Sequence, residues 1–464
     1  MSDLSLRTRI FLFFLALALG ALAFLAGGLW VGYSRVGGDP NGYLTAGLFA
    51  GFGILGIIAG VGYLFDLHVA KPITKVSADL RTRAHAGVCG SIDHSTLRYL
   101  GDLGPAAAAV SEKLGADTVS TAAQIASETA RLSAERAQLT AALSEIPVAV
   151  LMLSEDHRIV LYDGQAAAAL EPLKPLCLGH SIFEHLDETS IKRAADSLSL
   201  DGRRAAELRI ATIDGAHVFE ANLRGLGSGA GYMLTFTTEP DATAERPLVF
   251  DFDLASGGER PELAKTPLRN LTYVVFDTET TGLLPEKDEV VQIGAVRLVN
   301  GRKVEGEVFD TLVDPGRPIP PTSTKVHGIS DDMVQGAPKM AEACARFRQF
   351  AKDAILVAHN APFDMAFLKH DAAQAKTTIE NPVFDTILIS AAVFGAEATH
   401  TLDAIAERLE VQIPAELRHT ALGDAEATAL VFQKMLPVLE AQGISTFEAV
   451  ISAMKANSQI VKPV

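Results

Sequence analysis

The sequence predicts an α/β protein: a mixed sheet flanked by helices at the carboxyl end, set behind a transmembrane helical hairpin, a connector helix and a small α+β domain. Three observations carry that expectation. Two almost uncharged apolar stretches, Ile10 to Tyr33 and Tyr43 to Phe65, each reach the roughly 20 helical residues needed to cross a hydrocarbon core. Five β-rich runs between Val148 and Thr237 are separated by turn-forming residues. From Leu271 onward, three strand runs, the second Glu289 to Leu298 and the third Glu307 to Val313 after a turn at Asn300-Gly301, precede apolar runs that alternate with helical stretches. The 464 residues suit about three domains, and 48% hydrophobic residues suffice for packed cores.

The first two stretches account for the positive mean hydropathy of +0.22. A cleaved secretory signal has an apolar core of roughly 7 to 15 residues, whereas the first stretch is longer and a second follows at once. A membrane hairpin over residues 1–70, with spans at about 10–33 and 43–65, is expected instead. Arg7 and Arg9 precede the first span and Lys71, Lys75, Arg81 and Arg83 follow the second, while the intervening loop offers only Arg35. Basic residues concentrate on the cytoplasmic side, so the expectation is a multi-pass membrane protein, its lipid bilayer a partner and both termini cytoplasmic. Gly28 and Gly32, Gly47 and Gly51, and Gly56 and Gly60 are spaced for close helix approach, which more often serves packing within the hairpin than dimerisation. Cys89, Cys177 and Cys344 form no metal or disulfide pattern, in keeping with a reducing compartment.

Residues 71–139 read as a linker and connector helix. The segment from Lys71-Pro72-Ile73 resembles the start of a HAMP-type signalling linker. Ile125, Leu132, Leu139 and Ile146 recur every seven residues; with one apolar heptad position, a coiled coil and a single amphipathic helix fit equally. Residues 140–240 begin with a helix ending at Ile146-Pro147 and a hairpin, Val148 to Leu153 and Ile159 to Tyr162. Helices around Ala166 to Leu170 and Ser181 to Leu186 follow, then strands Leu208 to Ile213, His217 to Leu223 and Tyr232 to Thr237. This order resembles a PAS domain. It carries no haem or flavin motif, His180 and His185 read as helix-surface or core residues, and the module reads as a ligand-free dimerisation unit. A homodimer through it or through the membrane helices is the expected assembly. Residues 241–270 form a linker whose apolar-acidic piece Leu248 to Leu254 can dock on either neighbour.

The chemistry lies in residues 271–464. Asp277 and Glu279 sit two apart in the run Tyr273-Val-Val-Phe-Asp-Thr-Glu-Thr-Thr-Gly282, so on a strand both carboxylates project from one face. His359-Asn-Ala-Pro-Phe-Asp364 follows a strand and opens a helix, which puts Asp364 in its first turn. His419 precedes Asp424 by five residues at the start of another helix. Four carboxylates from three segments repel one another without a counter-charge, and two divalent cations relieve the repulsion. Oxygen-only ligands select Mg²⁺ or Mn²⁺ over zinc.

In this order the motifs resemble the DEDD superfamily of 3′-to-5′ exonucleases, specifically the DEDDh branch that includes the proofreading epsilon subunit of bacterial DNA polymerase III. Asp277-Thr-Glu279, His359 to Asp364, and His419 with Asp424 match its three motifs over about residues 272–440. The resemblance implies an RNase H-like fold and a two-metal phosphodiester hydrolysis, in which the cations activate a water and stabilise the leaving 3′ oxygen. Asp277 would bridge the two, Glu279 and Asp424 would serve the cation on the nucleophile's side, and Asp364 the other. His419 is the expected general base. By the family pattern, Thr278, Thr280, Leu283, His327, Asn360 and Phe363 would hold the terminal nucleotide. Asp385 supports the site or caps a helix, with equal weight.

A net charge of -16 fits an enzyme that grips only a few nucleotides of a single-stranded or frayed 3′ end, of DNA or of RNA, next to cations that formal counting omits. The expected function is therefore a membrane-anchored, cytoplasm-facing 3′-to-5′ exonuclease releasing nucleoside monophosphates, tuned by the PAS-like module. Two other functional classes compete with this one. A signalling scaffold that only binds nucleotide or nucleic acid is disfavoured by the complete acidic set, and a replication proofreader by the membrane hairpin.

Overall fold

The computed structural model describes residues 6–37, 40–86, 88, 100–103, 105–111, 113, 148–172, 174–201, 204–227, 230–238, 248–255, 262–374 and 378–458. Cys89, the heptad residues Ile125, Leu132, Leu139 and Ile146, the Ile146-Pro147 helix end and linker residues 241–247 and 256–261 lie outside them. The chain divides into two compact units, 1–119 and 120–464.

In the first unit, α1 (Leu6–Val36) and α2 (Pro40–Phe65) pair as a hairpin, and both are long and apolar enough to cross a membrane. Phe24 is 88% and Phe49 87% exposed, an arrangement that water penalises and lipid does not. A side chain at Gly47 would press on Leu29, and one at Gly62 would touch Phe14, so these glycines serve contacts inside the hairpin. A π-turn, Asp66–Ala70, carries the second helix without a break into α3 (Lys71–Ala86). Arg7 grips Asp66 with two N–H···O bonds of 2.9 Å each, fastening the two open ends of the hairpin.

The second unit contains two sheets. The first comprises β1 (Val148–Leu153), β2 (Ile159–Tyr162), β3 (Ala205–Ala211), β4 (Val218–Gly225), β5 (Tyr232–Thr237) and β6 (Val249–Phe250), in the antiparallel order β3-β4-β5-β1-β2-β6. Helix α4 (Gly164–Leu170), capped by the Asp163 side chain, and α5 (Glu188–Asp201) lie between β2 and β3 in the chain. Two details depart from the expected pattern. Ser181 to Leu186 yields only a short 3₁₀ turn at Ile182–Glu184, and residues 188–201, for which the sequence pattern predicts no element, form α5. Ala194, Ala195 and Leu198 make that helix's apolar face too small to announce itself, but it buries Ile191 completely. The linker piece docks on the first sheet, where Val249 and Phe250 pair with Tyr162 and Leu161.

The second sheet has five strands, an antiparallel meander continued on one side by two parallel strands. Strands β7 (Thr272–Thr280), β8 (Val290–Val299) and β9 (Arg302–Leu312) form an antiparallel meander. Asn300 at φ 49° and Gly301 at φ 73° make the tight turn their sequence predicts, so β9 starts directly after it rather than at Glu307. Helices α6 (Pro321–His327), α7 (Asp331–Val334) and α8 (Met340–Phe350) lead to β10 (Ile355–Ala358), which lies parallel to β7. Helix α9 (Ala361–Gln374) crosses to β11 (Val383–Asp385), parallel to β10, and α10 (Thr386–Phe394), α11 (Leu402–Arg408), α12 (Ala421–Ala441) and α13 (Phe447–Ser458) follow. Every residue of β8 is buried, with α12 laid across β7 and β8. Ala421, Gly423, Ala425 and Ala429 are small enough for that close approach, and Phe432 packs edge-on against Tyr273 at 5.0 Å.

Candidate active site

Strand alternation does what the sequence requires of it: Asp277 and Glu279 share a face of β7, opposite Gly294 and Gln292 of β8. Asp424 enters from the first turn of α12, where Thr420 caps the helix by accepting the Gly423 N–H at 3.1 Å. Ligand oxygens of Asp277, Glu279 and Asp424 lie within 4.8 Å of one another, a set that can hold a metal ion. Asp364, in the first turn of α9 and 2% exposed, is not one of that trio. Its Oδ1 accepts the Thr278 N–H at 3.1 Å and the Thr278 hydroxyl at 2.6 Å, which fixes it beside the middle of β7.

Burial first, and then the charges of Asp364, Glu279 and Asp424, push the Asp277 carboxyl well above the ordinary range. Burial and the same kind of repulsion, from Asp424 and Asp364, push Glu279 up to about 8. Asp364 is also raised, by burial, against the opposing hydrogen bonds from Thr278, and Asp424 is raised by burial and partly relieved by His419. Such a cluster keeps protons until a cation replaces them. The sign for stability follows from Glu279: the unfolded chain ionises it near 4.5 and the folded one near 8, so its contribution is present below about 4.5 and lost as pH rises toward 8. Without divalent cations the second unit is expected to melt at a higher temperature near pH 5 than near pH 8, and Mn²⁺ should restore more stability at the higher pH. Thermal unfolding of the detergent-solubilised chain at both pH values, with and without Mn²⁺, checks this; equal Mn²⁺ shifts would contradict it.

The other expected residues take varied places. His419 is exposed, holds a left-handed φ of 57°, and turns its backbone N–H toward Asp424. Asn360 is left-handed too, at φ 63°. Leu283 is 78% exposed at the tip of the loop after β7, beside the exposed Leu284. Phe363 is half-buried against Phe367, with ring centres 5.2 Å apart. Thr280 is buried and donates to the Gly282 carbonyl at 2.6 Å. His327 is buried, with Nδ1 accepting the Ile329 N–H at 3.1 Å and burial lowering its pKa. Asp385 caps α10 through the Ile387 N–H at 2.8 Å and also faces the amides of Asn360 and Ala361.

Three residues that hold the site escaped the sequence reading. Gln292 accepts the Ala421 N–H at 3.2 Å and donates to Asp310 at 2.8 Å, pinning the start of α12 to β8. Gly294 leaves the space that the backbone of Ala421 and Leu422 fills; a glycine inside an apolar strand is the signal that could have found it. Asp288 accepts the Leu284 N–H at 3.1 Å and the Thr281 hydroxyl at 3.3 Å, bracing the loop that presents Leu283.

The exonuclease family model RNase_T matches residues 274–432, the stretch that contains all of these groups. A DNA polymerase III subunit epsilon-like protein of Rhodobacter capsulatus is 31% identical, in an alignment covering 100% of this chain and 99% of the relative. A PolC-type DNA polymerase III of Caldanaerobacter subterraneus subsp. tengcongensis is 41% identical over 41% of this chain, which spans 13% of that relative's length. Among solved structures, Exonuclease X in complex with 5′ overhanging duplex DNA is 25% identical, with a TM-score of 0.32 over 40% of this chain and 99% of that one. Since the Rhodobacter relative is matched along nearly its whole length and the exonuclease model falls on the acidic cluster, the chain belongs to the DnaQ-like exonuclease family of DNA polymerase III epsilon-like proteins.

Proposed function

We propose that the chain is a membrane-anchored, cytoplasm-facing 3′-to-5′ exonuclease that releases nucleoside monophosphates from single-stranded or frayed ends of DNA or RNA. The observation that carries this reading is the convergence of Asp277, Glu279 and Asp424 within 4.8 Å, with Asp364 braced beside them. An all-carboxylate set with raised proton affinity fits Mg²⁺ or Mn²⁺, held by Asp277, Glu279 and Asp424 with Asp364 on a second ion. When bound, the two cations supply Lewis-acid stabilisation of the charge that develops at phosphorus. Asp277 and Glu279 hold fixed positions because β7 is the central strand of the five-stranded sheet, paired in parallel with β10 and antiparallel with β8. His419, exposed at the rim and next to Asp424, takes the proton of the attacking water. The exposed Leu283 and the accessible edge of Phe363 offer apolar surface to the terminal base, and the Thr278 to Thr280 backbone and Asn360 line its sugar-phosphate side.

The same proposal assigns α1 and α2 to the bacterial inner membrane with both termini inside, on the strength of their length, apolar surface and flanking basic residues. It assigns residues 148–250 to a PAS-like module, supported by its opening hairpin, intervening helices and three closing strands, and acting as a ligand-free dimerisation unit that tunes the exonuclease. The test uses the full chain in detergent with Mn²⁺ and 3′-labelled single-stranded DNA, frayed duplex DNA and short RNA. Release of labelled mononucleotide is expected, and inertness toward every end overturns the reading. His419→Ala in the same assay should lower kcat by about 10²-fold or more at an unchanged Mn²⁺ half-saturation. A defect confined to metal affinity removes His419 as the base.

A further inference from the structure

Strand β8 does two jobs. Gln292 and Gly294 seat the first turn of α12 and thereby Asp424. Three residues on, Arg297 forms an ion pair with Glu307 of β9 at 2.7 Å, both side chains 1% exposed. Buried charges persist only where their remaining donors and acceptors are met. Here the first sheet's module meets most of them. Arg297 donates to the Leu178 carbonyl at 2.8 Å and to His180 Nε2 at 3.2 Å, besides the Phe350 carbonyl at 3.0 Å. Glu307 Oε1 accepts the Leu178 N–H at 2.6 Å and the Tyr162 hydroxyl at 3.2 Å. Burial and the adjoining guanidinium keep His180 neutral, as an acceptor from Arg297 must be.

The apolar packing is reciprocal. Cys177 lies in one core with Val274, Phe276 and Phe347, while Val299 and Val304 of the meander lie in the core of the first sheet. The two cores therefore cannot part without opening both, and the ion pair fixes the register in which they meet.

We propose that Arg297 and Glu307 are positioning residues for the exonuclease reaction: by tying β8 and β9 to Leu178, His180 and Tyr162, they make the placement of Asp424 depend on how the residue 148–250 module is seated. This rests on the reading of Asp424 as a cation ligand. The module is then a built-in half of the exonuclease scaffold, and whatever loosens its seat lowers turnover without touching the substrate's binding surface.

The test changes only the module's side of the contact, in the full chain. Tyr162→Phe combined with His180→Leu removes one donor to Glu307 and one acceptor for Arg297. Relative to wild type, kcat on a 3′-labelled oligonucleotide should fall about 10-fold to 100-fold, the cost of misplacing a reacting geometry by about 1 Å, with KM nearly unchanged. Cys177, fully buried in the seated form, should become labelled by a thiol reagent, read by peptide mass so that Cys344 is scored separately. Wild-type kcat with Cys177 newly labelled overturns the coupling; wild-type kcat with Cys177 still protected shows that Leu178 and Phe350 alone hold the pair, and overturns it equally. If the double variant does not fold, Tyr162→Phe alone is read against the same two criteria. Asp277→Ala separates this from the functional reading: an active Asp277→Ala protein sinks the site assignment, whereas an inactive one with Cys177 protected leaves the site intact and the coupling to be judged by the module variants.

Discussion

Asp277→Ala is expected to lower Mn²⁺-dependent release of mononucleotides by about 10³-fold or more while the protein stays folded, the equivalent of about 4 kcal/mol of transition-state stabilisation. The size follows from position. The charges of Asp364, Glu279 and Asp424 all act on Asp277, and it lies in register with Gly294 at the centre of the sheet. On the proposed reading, removing it would leave Glu279 and Asp424 without the carboxylate expected to span between them and Asp364. A second substitution at the same position carries an expectation of opposite sign. Without its cation the wild-type cluster is a buried, mutually repelling set, so Asp277→Asn, which keeps the shape and drops the charge, should raise the melting temperature of the metal-free protein near pH 8. A gain of about 1 kcal/mol corresponds to about 1–2 °C in a unit of this size. Activity assays and metal-free thermal unfolding of the two variants check both halves. An Asp277→Ala protein with full turnover would remove the site, and an Asp277→Asn protein that melts no higher would show that the metal-free cluster relieves its repulsion by protonation alone.

Much of this site could be read from local sequence because its parts obey local rules. The period-two spacing of Asp277 and Glu279, the Asn300-Gly301 turn, and helix starts placing Asp364 and Asp424 in first turns all depend on neighbours in the chain. What escaped is non-local. Thr278 holds Asp364 across 86 residues, and Gln292 holds Ala421 across 129, distances over which no periodicity speaks. Helix α5 was hidden by a face built largely of alanine, and the early start of β9 by the exposed Arg302, Glu305 and Gly306 that alternate poorly with its buried residues. The module boundary was drawn through a linker, yet Val249 of that linker, Cys177 of the first sheet's module and Val299 of the meander each pack outside the segment the sequence assigned them to. Hydrophobic pattern says that a residue will be buried; it does not say against which partner.

Gly294→Ala is the substitution expected to do most damage for least chemistry. The added methyl group would stand 2.5 Å from Leu422 Cα and nearer still to backbone atoms of Ala421 and Leu422, none of which can rotate away as a side chain could. Helix α12 cannot simply rise in place either. Its first turn is held from below by Gln292 through the Ala421 N–H and crowded from the side at Gly423, where a Cβ would sit 2.7 Å from Thr420 Oγ1. The strain should therefore be released by lifting the amino end of the helix, the end that carries Asp424, while the carboxyl end stays anchored by Phe432, Met435 and Leu439. A stability loss of about 3 kcal/mol is expected, together with a fall in kcat of about 10²-fold and a raised Mn²⁺ half-saturation, because one cation ligand moves off its partners. The combination is diagnostic. A purely structural lesion would lower the folded fraction and leave the turnover and metal requirement of the remaining folded molecules unchanged, so Mn²⁺ titration of activity, corrected for folded protein by circular dichroism, decides whether Gly294 is a packing residue alone or the seat on which the third carboxylate depends.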